Sequence, residues 1–321
     1  MPPALGTTRG VLTWVAVVGG LVAAPDVAAA QTPVSLDAES VRVDSAAGWL
    51  PDVRLFPSPI ADPREPAFQA GLLWTDIFQG TATGAAVLNR AHPEEAAHEL
   101  HGAVSIGGTL PLRAWTPWSD GGVTVGLQAG VFGRFRLQVP KKDLVASDWI
   151  VAMPVEVSRG PLSARLRLLH WSSHLGDEFA EATGSERINF AHNSIEVLAA
   201  LRPTPGVRVY GGGSLVFLSK TERDLRPRLP GFSDDGSIRA GAEGEWYLRA
   251  EDRVGIVAAL DWQAADRWEW RGRTALELAV TARGPARYVR FGATFATGPT
   301  PMGQLLFERE TAWGVNLVIG M

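Results

Sequence analysis

Val123-Thr124-Val125-Gly126-Leu127-Gln128-Ala129-Gly130-Val131 places an apolar residue at every second position and a glycine or polar residue between. Successive side chains of a strand point to opposite faces, so this stretch has one apolar face and one small or polar face. The period recurs along the chain. Leu162, Ala164, Leu166 and Leu168 alternate with Ser163, Arg165 and Arg167, and Ile195, Val197, Ala199 and Leu201 alternate with Glu196 and Arg202 among others. Ile238, Ala240 and Ala242 alternate with Arg239, Gly241 and Glu243, and Leu276, Leu278 and Val280 with Glu277 and Thr281. The second face is too charged for a soluble core, yet its charges come in both signs. A closed antiparallel transmembrane β-barrel reconciles the two faces, with apolar residues toward lipid and polar ones toward a lumen. Arg165, Arg167, Glu196, Glu243 and Glu277 are then expected to point inward and cross-link a narrow lumen. A secreted sandwich shares the alternation, but its polar face has no need of paired Arg and Glu.

Strands are read at 66–75, 97–107, 123–135, 149–158, 162–174, 187–202, 207–218, 237–248, 254–264, 270–282, 287–297 and 309–321. Short gaps alternate with long ones, as expected for about twelve strands with short turns on one side of a membrane and long loops on the other. The stretch 108–122 is the exception, long where a short turn is expected. Gly211-Gly212-Gly213 falls inside a strand and reads as a bend or bulge.

The 321 residues carry no cysteine, which removes disulfides, thiolate metal sites and a thiol nucleophile. A formal charge of -4 without any Lys/Arg tract argues against nucleic acid as a partner. Near the start, Arg9 precedes the apolar run Val11 to Ala24, and Ala28-Ala29-Ala30 gives an A-x-A site before Gln31. Residues 1–30 are read as a cleaved secretory signal peptide. A membrane anchor needs about 20 apolar residues, and Gly19, Gly20 and Pro25 break this run. The expected location is the bacterial outer membrane, with its lipids as partners.

Residues 31–65 hold Pro51, Pro57, Pro59 and Pro63 and are expected to be extended, lining the periplasmic rim or entering the lumen as a plug. The barrel is expected over 66–321. At its end Trp313, Val315, Leu317, Ile319 and Met321 fall on alternate positions. That pattern resembles the terminal strand by which the barrel-assembly machinery recognises its substrates, with Met321 in place of the usual aromatic.

Two motifs carry a family likeness. Leu55-Phe56-Pro57-Ser58-Pro59-Ile60-Ala61-Asp62-Pro63-Arg64-Glu65-Pro66 and His170-Trp171-Ser172-Ser173-His174-Leu175-Gly176-Asp177-Glu178-Phe179 resemble the uncharacterised bacterial envelope family known as domain of unknown function 1207. That resemblance implies no activity. His170 and Ser172, two apart in one strand, share the outward phase of Leu162 to Leu168, and Asn189 shares that of Ile195 to Ala199. A symmetric hairpin sets Asn189 opposite Ser172. A hydroxyl, an imidazole to take its proton and an amide to orient the imidazole are the parts of an acyl-transfer site.

The arrangement resembles outer-membrane phospholipase A, a family of twelve-stranded barrels with an outward His-x-Ser pair and an Asn on the next strand. The resemblance implies His170 as base, Ser172 as nucleophile and Asn189 as orienter, with calcium assisting through Asp177 or Glu178. The family continues His-x-Ser with Asn-Gly, where this chain has Ser173-His174. Two readings of function stand. The simpler is a non-enzymatic envelope barrel, a narrow channel or structural component whose His170, Trp171, Ser172 and His174 form an interfacial girdle. The alternative is a lipid-facing Ser/His acyl hydrolase.

Overall fold

The computed structural model describes residues 47–76, 99–139, 142–185, 187–219, 235–247, 253–284, 287–306 and 308–320. The signal-peptide reading of 1–30 and the terminal Met321 lie outside the described residues. Twelve antiparallel strands close a barrel, preceded by the two-residue β1 (Gly48–Trp49). They are β2 (Phe68–Thr75), β3 (Glu99–Trp118), β4 (Gly121–Arg136), β5 (Leu144–Arg159), β6 (Leu162–Leu175) and β7 (Phe190–Thr204). The remaining six are β8 (Val207–Ser219), β9 (Gly236–Tyr247), β10 (Val254–Ala265), β11 (Gly272–Arg283), β12 (Tyr288–Pro299) and β13 (Arg309–Gly320). Each pairs with its sequence neighbours, and β13 returns to β2 with Ile319 opposite Phe68 and Ala312 opposite Thr75. Among the described residues, no helix is long and apolar enough to cross a membrane.

The two faces sort by chemistry. Leu166, Leu168, Ile195, Val197, Leu278 and Val280 are exposed on the outside, while Arg165, Arg167, Glu156 and Glu277 are buried inside. Charge within and hydrocarbon without inverts a soluble protein and suits a lipid surround.

The irregular gap at 108–122 disappears: β3 runs through it to Trp118 and meets β4 after Ser119 and Asp120. Gly107, Gly108, Pro111 and Pro117 read as breakers, but register shifts at Pro111/Arg113 and Trp115/Trp118 absorb them. Two-residue turns at 119–120, 160–161 and 205–206 belong to one end of the barrel, and the strand ends that flank the long gaps 76–98, 176–189 and 220–235 lie at the other, the long-loop end. The strand expected from 270 begins at Gly272, because Glu269 and Trp270 turn with φ of 54° and 60°. Gly211 to Gly213 pair regularly on both sides, with no bulge. A Cβ on Gly212 would lie 1.9 Å from the Val197 carbonyl oxygen, so the glycine permits close strand approach.

Residues 51–67 run inside the barrel. Arg54 pairs with Glu156 at 2.6 Å, the Ile60 amide donates to Glu243 at 2.9 Å, and Asp62 pairs with Arg239 at 2.7 Å. From the long-loop end, 300–306 folds inward until Met302 Sδ lies 4.0 Å from Arg64. Between these segments and the wall remain cavities of about 120 and 90 Å³.

Candidate functional site

On β6 the outward row includes His170, Ser172 and His174, and the inward row Trp171, Ser173 and Leu175. Register fixes the outward neighbours. His170 stands between Val151 of β5 and Asn193 of β7, and Ser172 between Trp149 and Ala191. Ala191 thus holds the place opposite Ser172 expected of Asn189, which is exposed and precedes the first residue of β7, and Asn193 stands opposite His170.

The reason lies in the connecting loop. Asp177–Thr183 forms a short helix, α1, whose Phe179 is fully buried against Val145, Ala146, Leu175, Met302 and Leu305. The helix ends at Gly184 with φ of 65°. That anchored turn uses residues unequally on the two sides, and the pairing shifts by two positions, which preserves each side chain's face and changes its partner.

His170 Nδ1 and Asn193 Oδ1 are 2.7 Å apart. A carbonyl oxygen only accepts, so Nδ1–H donates, and Nε2 keeps its lone pair. Among the described residues no hydrogen bond joins Ser172 to His170. Side chains two apart on one face are near neighbours, and sites of this type are often looser without substrate. The arrangement has a hydroxyl, an imidazole and an amide, all on the outer surface. Hydrogen-bonded orientation of a histidine by Asn is chemistry that a purely interfacial ring does not need.

Asp177 and Glu178, the expected calcium ligands, lie on the connecting helix and have no hydrogen bond to His170, Ser172 or Asn193 among the described residues. Both are exposed in the first turn of α1, and the Asp177 carboxylate is taken by Arg187. Among the described residues, no three His, Cys, Asp or Glu side chains converge as metal ligands.

The inner face of the same strands is densely hydrogen-bonded and ion-paired. Ser173 donates to Asp148 and accepts the Gln304 amide N–H at 3.0 Å, and Gln304 Nε2 donates to the carbonyls of Ser173 and Ile188 at 2.8 and 2.6 Å. Asp148 also holds Arg64, whose guanidinium lies 4.3 Å from the Trp171 ring. Lower in the lumen Arg165 grips Glu65 through two bonds of 2.7 and 3.0 Å and reaches Glu196 at 3.2 Å. Arg167 bonds Glu196 at 2.7 Å and the Gln128 amide oxygen at 2.7 Å. Glu243 pairs with Arg208, and Glu277 with Arg290, while Asn316 donates to Glu277 at 3.1 Å.

Burial pushes the Glu65 carboxyl up, but Arg165 and Arg167 outweigh it and hold the group well below the usual carboxylate range. Asp62 moves the other way: burial outweighs Arg239, and Asp261 and Glu65 add repulsion, so its pKa is raised. Arg64, Glu65 and Asp148 were not among the residues singled out for the lumen by alternation. Arg64 and Glu65 lie in a proline-rich segment with no period, and only their place in the first motif marks them.

The family described as "Protein of unknown function (DUF1207)" matches residues 20–317. The chain belongs to that family. No curated protein matches it in sequence. Among solved structures, outer membrane phospholipase A from Escherichia coli is similar in fold, with a TM-score of 0.50 and 12% identity over 79% of this chain and 90% of that one. An active-site variant of the same Escherichia coli protein aligns with a TM-score of 0.51 and 13% identity, over 88% of this chain and 99% of that one. The barrel is thus of outer-membrane type.

Proposed function

We propose that this barrel is an acyl-ester hydrolase of the bacterial outer membrane, with Ser172 as nucleophile, His170 as general base and Asn193 as the group that orients the base. The observation that carries this reading is the 2.7 Å bond from His170 Nδ1 to Asn193 Oδ1 beside an outward serine. Likeness in fold to a phospholipase supports the reading without carrying it. The patch lies at the long-loop end, which in outer-membrane barrels faces the exterior, so the substrate is a phospholipid ester in the outer leaflet.

The chemistry needs two displacements. His170 Nε2 takes the Ser172 Oγ proton as the oxygen attacks the ester carbonyl, and the imidazolium returns that proton to the departing alcohol. Water then attacks the acyl-serine, giving its proton to Nε2, and the fatty acid leaves as Ser172 regains its proton. Asn193 keeps Nδ1 protonated throughout, so Nε2 always faces the reaction. No step is routed through Asp177 or Glu178.

The test is fatty-acid release from phospholipid vesicles by the purified barrel, in calcium and in chelator, beside Ser172→Ala and His170→Ala. Retained heat-modifiable gel mobility verifies folding. Release by the parent and a fall of about a thousandfold or more in both variants is expected. No release from the folded parent, or equal release from all three, overturns the proposal.

A second reading is favoured by the occupied lumen: a barrel that conducts no solute and serves as an envelope component. Planar-bilayer recordings separate it from a narrow channel, since ion-paired segments at Glu65 and Arg64 should leave no steady conductance.

A further inference from the structure

The short-turn end carries a surface of different chemistry. β3 outruns β2, which pairs with it only between Glu99 and Ser105, and β1 takes the same edge further on, with Trp49 opposite Arg113. After the bulge at Pro111/Arg113, Arg113 and Trp115 pair with Val125 and Val123 of the outward row of β4. Arg113 therefore stands on the lipid side, its guanidinium carbon 5.0 Å from the Trp49 ring and 5.7 Å from the Trp115 ring. Nearer the turn, the Arg159 guanidinium lies 5.7 Å from the Trp118 ring. Arg159 has a carboxylate partner in Asp120, 3.9 Å away, with both side chains more than half exposed. Among the described residues no carboxylate pairs with Arg113.

A guanidinium set among aromatic rings keeps its edge donors for a planar acceptor, and tryptophans of this kind mark the depth of lipid headgroups. Arg113, without an ion-pair partner among the described residues, keeps its charge for an anion. Below it, Ile106, Leu110 and Leu127 are exposed on the outward rows, a surface that suits an acyl chain and offers nothing to a free ion. We propose that the short-turn end binds anionic phospholipid in its leaflet, with the phosphodiester taken by Arg113 between Trp49 and Trp115 and with Arg159, beside Trp118, adding charge along the same edge. The site is remote from Ser172 and independent of the hydrolase reading.

Native mass spectrometry of the delipidated, folded protein tests this by titration with phosphatidylglycerol, phosphatidylcholine and inorganic phosphate. Phosphatidylglycerol is expected to bind about tenfold more tightly than phosphatidylcholine. The double variant Arg113→Gln/Arg159→Gln should erase that preference, and Arg113→Lys, which keeps the charge but not the planar fork, should fall between. Equal headgroup affinities in the parent overturn the proposal whether or not the double variant folds. So does an unchanged preference in a folded double variant, or displacement of the lipid by an equal concentration of inorganic phosphate, which would mark a free-phosphate site.

Discussion

Ser172 and Ser173 occupy consecutive positions of β6 and face opposite sides of one sheet. Ser173 is buried, donates to Asp148 and accepts from Gln304, so each capacity of its hydroxyl is used. Ser172 is half-buried beside Trp149 and Ala191 and has no such bonds, next to an imidazole fixed by Asn193. Inside this barrel polar groups exist to satisfy one another and hold two inserted segments. Outside it, a polar side chain has no architectural duty, and its cost in a lipid surround calls for a function.

The sharpest way to break that contrast exchanges the two serines' fates. Ser172→Ala should lower the rate of ester release by about a thousandfold or more while leaving stability within about 0.5 kcal/mol. Ser173→Ala should do the reverse, costing about 1–3 kcal/mol of unfolding stability in detergent because Asp148 and the Gln304 amide lose a buried partner. Release per folded molecule stays near that of the parent. If Ser173→Ala abolishes turnover in folded protein and Ser172→Ala does not, the faces have been assigned the wrong roles.

Next in size is the lumen clasp. Glu65→Ala strands Arg165 and Arg167 beside one another with only Glu196 to share, and should cost about 3–5 kcal/mol in denaturant unfolding. The same group sets an acid dependence. Its folded pKa is lowered, so its contribution is whole above the ordinary glutamate value of about 4.3 and is lost as pH falls from there toward the lowered value. Parent and Glu65→Gln should therefore differ more at pH 7 than at pH 3. A gap that does not change with pH shows that Glu65 is not held ionised by its arginines.

Alternation was enough to reveal the barrel because period two is a property of each strand alone. It named Arg165, Arg167, Glu196, Glu243 and Glu277 from their phase, and it placed His170 and Ser172 on the face they occupy. What it could not supply were pairings set by something outside the strands. The register of β6 with β7 depends on Phe179 being driven into a small apolar core with Leu305 and Met302, more than a hundred residues away. The partners of the lumen charges come from Asp62, Arg64 and Glu65, in a segment whose prolines erase any period. The course of β3 through Pro111 and Pro117 depends on bulges, which only the neighbouring strand β4 makes visible.

The smallest expected effect tests that register directly. Asn193 and Asn189 share a strand phase and residue type, and differ in that only Asn193 meets His170. If Asn193 contributes one hydrogen bond that holds the imidazole tautomer, Asn193→Ala should lower the release rate by about tenfold, the equivalent of about 1.4 kcal/mol. Asn193→Asp keeps an acceptor opposite Nδ1 and should recover part of the loss, which a merely packing role would not allow. Asn189→Ala removes an exposed side chain ahead of β7 and should stay within about twofold of the parent. Loss at Asn189 with tolerance at Asn193 would mean that the working hairpin pairs two residues out of the register drawn here, with Asn189 facing Ser172.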